Sequence, residues 1–537
     1  MKKILVIGLD AACLNNIMPW LNEGHLPSLQ HLMNVGIYSD LRTVIPAMTA
    51  TAWTSMVTGK NPGKHGVFDF YKYNDDNYGR QIVSSLDNKA RCIWDYFSEH
   101  GKFPIVINVP VTHPAKKIKG IIIPGFPAPE NPSCFPADIL QEFEETHGKY
   151  RLYSPSDMAF TTLKRKMQGF IDLSQIRKNA ALYFGQEYDW DFFMVQFQTT
   201  DTAFHRLRKP KYILPLYQYI DECVGEIIEA LGNDANIFIV SDHGIGKAKW
   251  KFCLNSWLRK EGLLSDMRAG LKEVHFSDVK AGSPEAEGRY IAIVLSKVLE
   301  SLGRLGITVE EIDRIVTILK LGFLKELVPQ YLKNKIRRRQ IDWGRTKAYC
   351  PSSSSMSVRI NLKDREPSGV VEKDEYQALR QTLINKLQAQ TDPDGSPVFQ
   401  AVLPVEEYYN GRYISRAPDI VLFARQMDYT ISADILSRIF SHYTEYTHKM
   451  DGLFIAAGPD IDRKGYLNGK LSLLDVAPTI LHVSGLPVPE NMDGRVLTEI
   501  SREDSEPAQR GVIYQRADYA KERIRGKVNN LKKQNKI

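Results

Sequence analysis

The chain has 537 residues, of which 43% are hydrophobic and 25% are charged, and its formal net charge is +7. This length exceeds what one simple hydrophobic core supports, so we expect one large elaborated domain or two to three smaller ones. The composition is too polar for a membrane channel, no apolar run reaches the roughly 20 residues that span a bilayer, and the mild charge predicts no specific nucleic-acid binding.

The N-terminus, MKKILVIGLDAAC, places basic residues before apolar ones, as a secretion signal does. Its apolar run lasts only about six residues before Asp10, which is too short for such a signal. The six cysteines are scattered without CxxC pairs, which argues against a disulfide framework and a thiolate zinc cluster. We therefore expect a cytoplasmic protein that begins with a buried strand.

Three apolar runs are typical of strands buried on both faces of a parallel sheet. They cover residues 3–9, 191–200 and 236–241 and are followed by Asp10, Asp201 and Asp242–His243. Helical patterns separate them, such as the three-to-four-residue repeat through Tyr219, Cys223, Ile227 and Leu231. Strands alternating with helices predict an α/β fold with a doubly wound, mostly parallel central sheet flanked by helices.

The acidic residues after these strands predict a ligand site. In a doubly wound sheet, ligands bind beyond the carboxyl ends of the strands, so the three aspartates would gather along one edge. Asp201 and His205 are four residues apart and would share one face of a helix's opening turn. An aspartate at one strand end can simply cap the next helix, but three together favour a metal site. Carboxylates and imidazoles without cysteine favour Zn²⁺ or Mn²⁺.

Residues 46–66, PAMTATAWTSMVTGKNPGKHG, predict a helix that starts at Thr49 and stops at Gly59. A hydroxyl at a helix N-terminus lies beside free backbone N–H groups and the positive end of the helix dipole, which suits a phosphate or sulfate. On the residues alone, Thr49 is either a helix cap or a nucleophile. His448, ahead of a further buried strand at 453–457, is another candidate metal ligand.

The order of these motifs resembles the type I phosphodiesterase/nucleotide pyrophosphatase family of the alkaline phosphatase superfamily. The motifs are GLD at 8–10, T-x-x-x-WTSMVTGKNPGKHG from Thr49, D-x-x-x-H from Asp201, SDHG at 241–244 and H-x-M-D-G-x-F-I-A-x-GP from His448. The resemblance covers roughly residues 1–260 and 340–500. It implies the alkaline phosphatase-like form of the predicted fold.

The resemblance also implies a centre of two divalent metal ions, with Zn²⁺ as the first candidate and Mn²⁺ as the alternative. One ion would be held by Asp10, Thr49, Asp242 and His243, and the other by Asp201, His205 and His448. Thr49 would be the nucleophile and would form a phosphothreonine intermediate, with the backbone N–H of Ala50 as an oxyanion contact. Coordination to a dication lowers the pKa of a threonine hydroxyl, which activates this weak nucleophile.

We expect three parts in the chain. Residues 1–259 and 346–500 would form the discontinuous catalytic core, residues 260–345 a helical cap insertion, and residues 501–537 a polar basic tail. The cap prediction rests on amphipathic helical spacing and on a capping-box pattern at Thr308 and Glu311. The basic run Arg337–Arg339 within it is a solvated surface or a means of attracting anionic substrates.

The predicted function is a metal-dependent hydrolase that cleaves phosphodiester or pyrophosphate bonds in a small phosphorylated substrate. One alternative is a phosphomonoesterase, phosphonate hydrolase or phosphotransferase with the same centre. Another is an inactive relative that binds an anionic ligand. The sequence leaves the physiological substrate and the oligomeric state open.

Overall fold

The computed structural model describes residues 2–74, 77–155, 161–267, 340–436, 438–469 and 471–516. Most of the predicted helical cap, including Arg337–Arg339, and residues 517–537 of the predicted tail lie outside them. Asp266–Met267 and Gln340–Ile341 pair as antiparallel strands. The described residues on either side of the gap at 268–339 are therefore adjacent in space.

Strands and helices alternate along much of the described chain. In chain order its strands are β1 Lys3–Leu9, β2 Ile37–Arg42, β3 Tyr71–Asn74, β4 Asn77–Ile82, β5 Pro104–Ile107, β6 Ile121–Ile123, β7 Phe192–Phe197, β8 Ala235–Val240, β9 Gly244–Lys247, β10 Trp250–Cys253, β11 Asp266–Met267, β12 Gln340–Ile341, β13 Ala348–Tyr349, β14 Ser357–Ile360, β15 Phe399–Pro404, β16 Ile420–Ala424, β17 Tyr429–Ser432, β18 Phe440–His442, β19 Tyr446–Lys449, β20 Asp451–Ala457, β21 Gly465–Tyr466, β22 Leu471–Ser472, β23 Val488–Pro489 and β24 Tyr514–Gln515. Its α-helices are α1 Leu14–Asn22, α2 Pro27–Val35, α3 Thr49–Thr58, α4 Pro62–His65, α5 Ile93–Glu99, α6 Gln141–His147, α7 Leu163–Glu187, α8 Thr199–Arg206, α9 Pro210–Leu231, α10 Leu254–Lys260, α11 Tyr376–Gln388, α12 Val405–Tyr408, α13 Val476–Val483 and α14 Glu506–Arg510. Short 3₁₀ helices cover Ile414–Arg416, Arg425–Met427, Leu473–Asp475 and Thr498–Ile500.

A nine-stranded sheet, counted over the described residues, has the order β21-β2-β20-β8-β1-β7-β5-β6, with β22 also paired to β2. The central strand β1 is parallel to both β7 and β8, and β5 is parallel to β6 and β7. Only β20 runs against its neighbours β8 and β2 in this described sheet. The sheet is mostly parallel, which confirms the predicted fold class.

Helices cover both faces of this sheet. Alternate residues of β1 point to opposite faces. Leu5 and Ile7 belong to a hydrophobic cluster with residues of α1, α2, α7 and α9, whereas Ile4 and Val6 belong to a cluster with residues of α3, α5 and α13. Burial on both faces explains why β1 is apolar throughout. Within the described residues, no helix combines the length and apolar character that crossing a membrane requires.

A third hydrophobic cluster combines residues 250–264 and 348–435 with Ile45 and Ala47. It underlies two smaller sheets, β13-β14-β16-β15 and β17-β10-β18. The Ile45 N–H donates to Tyr408 Oη at 3.0 Å, and Tyr409 Oη donates to the Ile45 carbonyl. These contacts fix the chain just ahead of α3.

The predicted strands at 3–9, 236–241 and 453–457 agree with β1, β8 and β20 to within two residues. The predicted strand at 191–200 is too long, since β7 ends at Phe197 and α8 begins at Thr199. The Thr202 N–H donates to the Gln198 carbonyl at 3.2 Å, a local bond that turns the chain into a helix. Asp201 therefore lies in the first turn of α8, one turn before His205.

Candidate metal centre and nucleophile

The helix that carries Thr49 is α3, and all ten of its residues are buried. It ends as predicted at Gly59, whose φ of 64° is left-handed. Met48 occupies the N-cap position without a side-chain capping bond, and Thr49 is the first helical residue. The Thr49 hydroxyl therefore does not cap α3. Ala50 follows in the same first turn, where backbone N–H groups have no acceptor within the helix.

Asp10, Thr49, Asp242 and His243 come together at the carboxyl edge of the sheet, and we call them the first group. Asp10 follows β1, and Asp242 and His243 follow the adjacent parallel strand β8. His243 Nε2 lies 3.3 Å from Asp242 Oδ2, 3.8 Å from Asp10 Oδ1 and 3.5 Å from Thr49 Oγ1. One carboxylate oxygen of each aspartate and one imidazole nitrogen thus converge within reach of a single ion.

Within the part of the chain that the structure describes, each carboxylate of the first group has one oxygen bound by protein and one without a partner. Asp10 Oδ2 accepts from Trp53 Nε1 at 2.9 Å and from Gln196 Nε2 at 2.8 Å, and Asp242 Oδ1 accepts from the Ala11 N–H at 3.3 Å. Asp10 Oδ1 and Asp242 Oδ2 are buried and have no hydrogen-bond partner among the described residues. Buried carboxylate oxygens are costly to leave unpaired, so two that face each other fit a bound cation.

Asp201, His205 and His448 form the second group. Asp201 Oδ1 lies 3.1 Å from His205 Nε2 and 3.4 Å from His448 Nε2, and these two nitrogens are 3.1 Å apart. His448 belongs to β19, which pairs with β9 directly after His243, so its ring stacks on the His243 ring with centroids 3.8 Å apart. The two groups are therefore adjacent, and Asp201, His243 and His448 also fall within reach of one ion.

Backbone carbonyls orient two of the imidazoles. His448 Nδ1 lies 2.7 Å from the Ala47 carbonyl, and His243 Nδ1 lies 3.1 Å from the Gly244 carbonyl. A carbonyl only accepts, so Nδ1 carries a proton in both rings and Nε2 is the nitrogen that faces the site. Metal-binding histidines almost always donate their other ring N–H in this way, which fixes the orientation of the ring.

The spacing of the donor atoms fits tetrahedral coordination. With metal–ligand bonds of about 2.0–2.1 Å, two ligands of a tetrahedral ion are about 3.3 Å apart. The second group has separations of 3.1, 3.1 and 3.4 Å, and the first has 3.3, 3.5 and 3.8 Å around His243 Nε2. The residues present therefore fit a pair of divalent cations bound through nitrogen and oxygen.

Burial dominates the electrostatics of the site. It raises the pKa of Asp10, as do the charges of Asp242 and Asp201, and together with Asp201 it raises the pKa of Asp242. Burial also lowers the pKa of His243, and the neighbouring His448 lowers it further. Burial likewise raises the pKa of Asp201, but the His205 and His448 imidazoles outweigh it and hold that pKa well below its usual range. A dication would reverse the penalty on the first group's carboxylates.

The structure brings together all seven side chains that the sequence nominated, and it adds Trp53 and Gln196. The apolar spacing of α3 predicts Trp53 as a core residue, and Gln196 is the polar exception in an otherwise apolar strand. That exception is the signal that sequence reasoning missed.

The carboxyl edge of this α/β sheet thus carries two adjacent carboxylate–imidazole groups and a buried hydroxyl at a helix start, the arrangement of a candidate metal site. The sequence profile of type I phosphodiesterases/nucleotide pyrophosphatases matches residues 4–452, and the chain belongs to this family. The predicted resemblance is thus confirmed, and the protein is a hydrolase of phosphoric ester or anhydride bonds.

Two solved structures support the alkaline phosphatase-like fold. Human ectonucleotide pyrophosphatase/phosphodiesterase 5 is 12% identical over 93% of this chain and 100% of its own, with a TM-score of 0.50. The alkaline phosphatase PafA is 13% identical over 93% of this chain and 99% of its own, with a TM-score of 0.54. No curated protein matches the sequence significantly.

Proposed function

We propose that the protein is a two-metal phosphodiesterase or pyrophosphatase in which Thr49 is the nucleophile and the substrate is a small phosphorylated molecule. The observation that carries this proposal is the Thr49 hydroxyl, which is buried, does not cap its helix and lies 3.5 Å from His243 Nε2. Beside it are two carboxylate oxygens that have no hydrogen-bond partner among the described residues. In the same helix the Thr54 hydroxyl instead donates to the Ala50 carbonyl at 2.7 Å.

The first group would hold one divalent ion and the second group the other. Ions bound there would lower the pKa of the Thr49 hydroxyl and offset the negative charge of the phosphoryl group. Nitrogen and oxygen donors without cysteine suit Zn²⁺ first and Mn²⁺ as the alternative.

Thr49 Oγ1 would bond to phosphorus as the bond to the leaving oxygen breaks, giving a phosphothreonine. Water would then attack this phosphorus and return the threonine hydroxyl. The Ala50 N–H, in the first turn of α3, would donate to a phosphoryl oxygen at the positive end of the helix dipole. The Tyr408 and Tyr409 contacts ahead of α3 would keep Thr49 in place during the in-line attack.

The test combines metal analysis with hydrolysis of bis-p-nitrophenyl phosphate and p-nitrophenyl phosphate. We expect two metal equivalents and faster cleavage of the diester. Thr49→Ala should lower turnover by at least about a thousand-fold, because the nucleophile is lost. Thr58→Ala is the matched control, since Thr58 is a buried threonine of the same helix whose hydroxyl bonds to the Thr54 carbonyl at 2.7 Å.

Three outcomes separate the possibilities. Faster cleavage of the monoester would favour the phosphomonoesterase alternative with the same nucleophile. Equal loss of turnover in Thr49→Ala and Thr58→Ala would remove the special role of Thr49. Absence of bound metal together with turnover that does not depend on Thr49 would contradict the proposal as a whole.

A further inference from the structure

Two buried amide side chains, Gln196 and Asn108, form a chain that ends on Asp10. Gln196 Nε2 donates to Asp10 Oδ2 at 2.8 Å, and Gln196 Oε1 accepts from Asn108 Nδ2 at 2.9 Å. Asn108 Nδ2 also donates to the main-chain carbonyl of Gln196 at 2.8 Å. Gln196 is 0% exposed and Asn108 is 3% exposed, so neither side chain exchanges these bonds for water.

The chemistry of the partners fixes which group donates and which accepts in this series of hydrogen bonds. A carboxylate accepts but does not donate, so the end of the Gln196 amide that faces Asp10 is the NH₂ group. Gln196 Oε1 then needs a donor on its other side, and Asn108 supplies it. Asn108 thereby prevents the amide of Gln196 from turning over and presenting an oxygen to Asp10.

The backbone around Asn108 holds it in an orientation that few residues adopt. Asn108 follows β5 with a left-handed φ of 62°, a region that asparagine tolerates better than most residues. Its N–H donates to the Ile123 carbonyl at 2.8 Å, and a Cβ on Gly125 would collide with the Asn108 carbonyl oxygen. The close approach of Gly125 therefore locks the strand end from which Asn108 reaches Gln196.

The glycine of the GLD motif makes room for the donors to Asp10. Gly8 lies opposite Gln196 in the register of β1 and β7. A Cβ on Gly8 would collide with Trp53 Cη2 and would lie 3.1 Å from Gln196 Cγ. Only a residue without a side chain lets Trp53 and Gln196 both reach Asp10 Oδ2.

The hydrogen bonds to the Asp10 carboxylate are made on one oxygen and not on the other. This asymmetry distinguishes a positioning role from the mere satisfaction of a buried carboxylate. Two side-chain donors meet on Oδ2, while Oδ1 has no partner among the described residues and faces the first group. A network that served only to satisfy a buried carboxylate would gain most by supplying both oxygens. This one holds one oxygen and leaves the other available.

We propose that Gln196 and Asn108 are positioning residues for metal binding: Gln196 holds Asp10 Oδ2 so that Oδ1 points at the first ion, and Asn108 acts only through Gln196. This inference rests on the proposed two-metal centre. It assigns a role to the NVPVTHP segment at 108–114, which carries no ligand of its own.

The test measures Zn²⁺ affinity, by calorimetry or competition with a chromophoric chelator, on protein first stripped of metal. Gln196→Met keeps the length of the side chain but removes the donor to Asp10. Asn108→Asp keeps size and backbone tolerance but removes the donor to Gln196. The matched control is Asn236→Asp: Asn236 is buried at the other end of β8 and donates to Asp460 Oδ2 at 2.8 Å.

We expect each of the two variants to bind one Zn²⁺ equivalent about 10- to 100-fold more weakly than wild type, as loss of an outer-shell partner does. Asn236→Asp should stay within about two-fold of wild type while losing comparable thermal stability. In the double variant, Asn108→Asp should add no more than about two-fold to the effect of Gln196→Met, because the two residues act in series.

Wild-type affinity in folded Gln196→Met and Asn108→Asp would overturn the inference while leaving the two-metal proposal intact. Losses that multiply in the double variant would overturn the serial role of Asn108. If wild-type protein itself binds no Zn²⁺, this result contradicts both the positioning role and the two-metal centre. If Gln196→Met does not fold, Asn108→Asp still tests the inference, because Asn108 acts on Asp10 only through Gln196.

Discussion

Replacing Asp242 by asparagine is expected to stabilise the metal-free protein. The same change is expected to abolish tight metal binding at the first group. Asp242 Oδ1 accepts from the Ala11 N–H at 3.3 Å, and the amide oxygen introduced by Asp242→Asn would keep that acceptor. Asp242 Oδ2 has no hydrogen-bond partner among the described residues and lies 3.3 Å from His243 Nε2. In Asp242→Asn, an NH₂ donor would face this unprotonated nitrogen in place of an unpaired carboxyl oxygen.

The size of the gain follows from these two changes. Relief of an unpaired buried polar group is worth about 1–3 kcal/mol, and one new buried hydrogen bond about 0.5–1.5 kcal/mol. We therefore expect the free energy of unfolding of metal-free Asp242→Asn to exceed that of metal-free wild type by about 2–4 kcal/mol. With saturating Zn²⁺ the order should reverse, because only wild type gains the full binding free energy.

The assay is guanidinium unfolding at pH 7 with chelator and with Zn²⁺. Asp221→Asn is the matched control: Asp221 is buried, and both its oxygens are satisfied by the N–H groups of Ser28 and Leu29 at 2.8 and 2.9 Å. An NH₂ group there would face a backbone donor, so the control should lose stability with or without metal. If Asp242→Asn lost as much stability as Asp221→Asn in the presence of chelator, the assignment of Asp242 Oδ2 as a metal ligand would be refuted.

Two further predictions concern single histidines. His448→Ala should retain one of the two metal equivalents and lose the other, because His448 Nε2 lies 3.4 Å from Asp201 Oδ1 in the second group; retention of both, measured by mass spectrometry of the protein-bound metal, would contradict that grouping. Burial, with Lys60 nearby, lowers the pKa of His65 to about 3, so the unfolded chain takes up a proton below pH 6.5 that the folded protein does not. His65 should therefore cost wild type about 2 kcal/mol of stability between pH 6.5 and pH 5, and His65→Gln should show a correspondingly smaller loss in denaturant titrations at the two pH values.

The sequence could nominate side chains that lie close together in the fold because each of them lies at a point where local patterns change. Asp10 interrupts an apolar run, Asp242 and His243 end another, and Asp201 and His205 share a helical spacing. Because β1 and β8 are adjacent and parallel, their carboxyl ends lie side by side, and no further sequence signal is needed to place Asp10 near Asp242. The end of β7 was harder to predict from the sequence, because Thr199 and Thr200 are residues that also favour strands. Helical hydrogen bonds from Gln198 onward determine the structure there.

The parts that the sequence did not reveal depend on contacts between distant residues. Trp53 fits the apolar face of α3, and only the structure shows its indole N–H bonded to Asp10. Tyr408 and Tyr409 bond to Ile45, which lies far away in the sequence, and no local pattern encodes such a pair. The third hydrophobic cluster arises in the same way, and the role of residues 260–345 as a helical cap remains a prediction.

The segment TGKNPGKHG is part of the resemblance, and side chains within it hold α3 in place. A Cβ on Gly63 would collide with the Asn410 carbonyl oxygen, so this glycine permits the close approach of the later chain. Asn61 Oδ1 accepts from the Gly63 N–H at 2.9 Å, and Asn61 Nδ2 donates to Asp493 at 2.8 Å. His65, fully buried, bonds to Ser55 of α3 at 2.8 Å.

These contacts tie the C-terminal end of α3 to residues near 410 and 493, while Tyr408 and Tyr409 fix the chain ahead of its N-terminal end. A helix fixed at both ends cannot rotate, so these contacts set the position of the Thr49 Cα and Cβ atoms that carry the hydroxyl. The Thr49 hydroxyl, which is at the first helical position and not at the N-cap, then lies 3.5 Å from His243 Nε2.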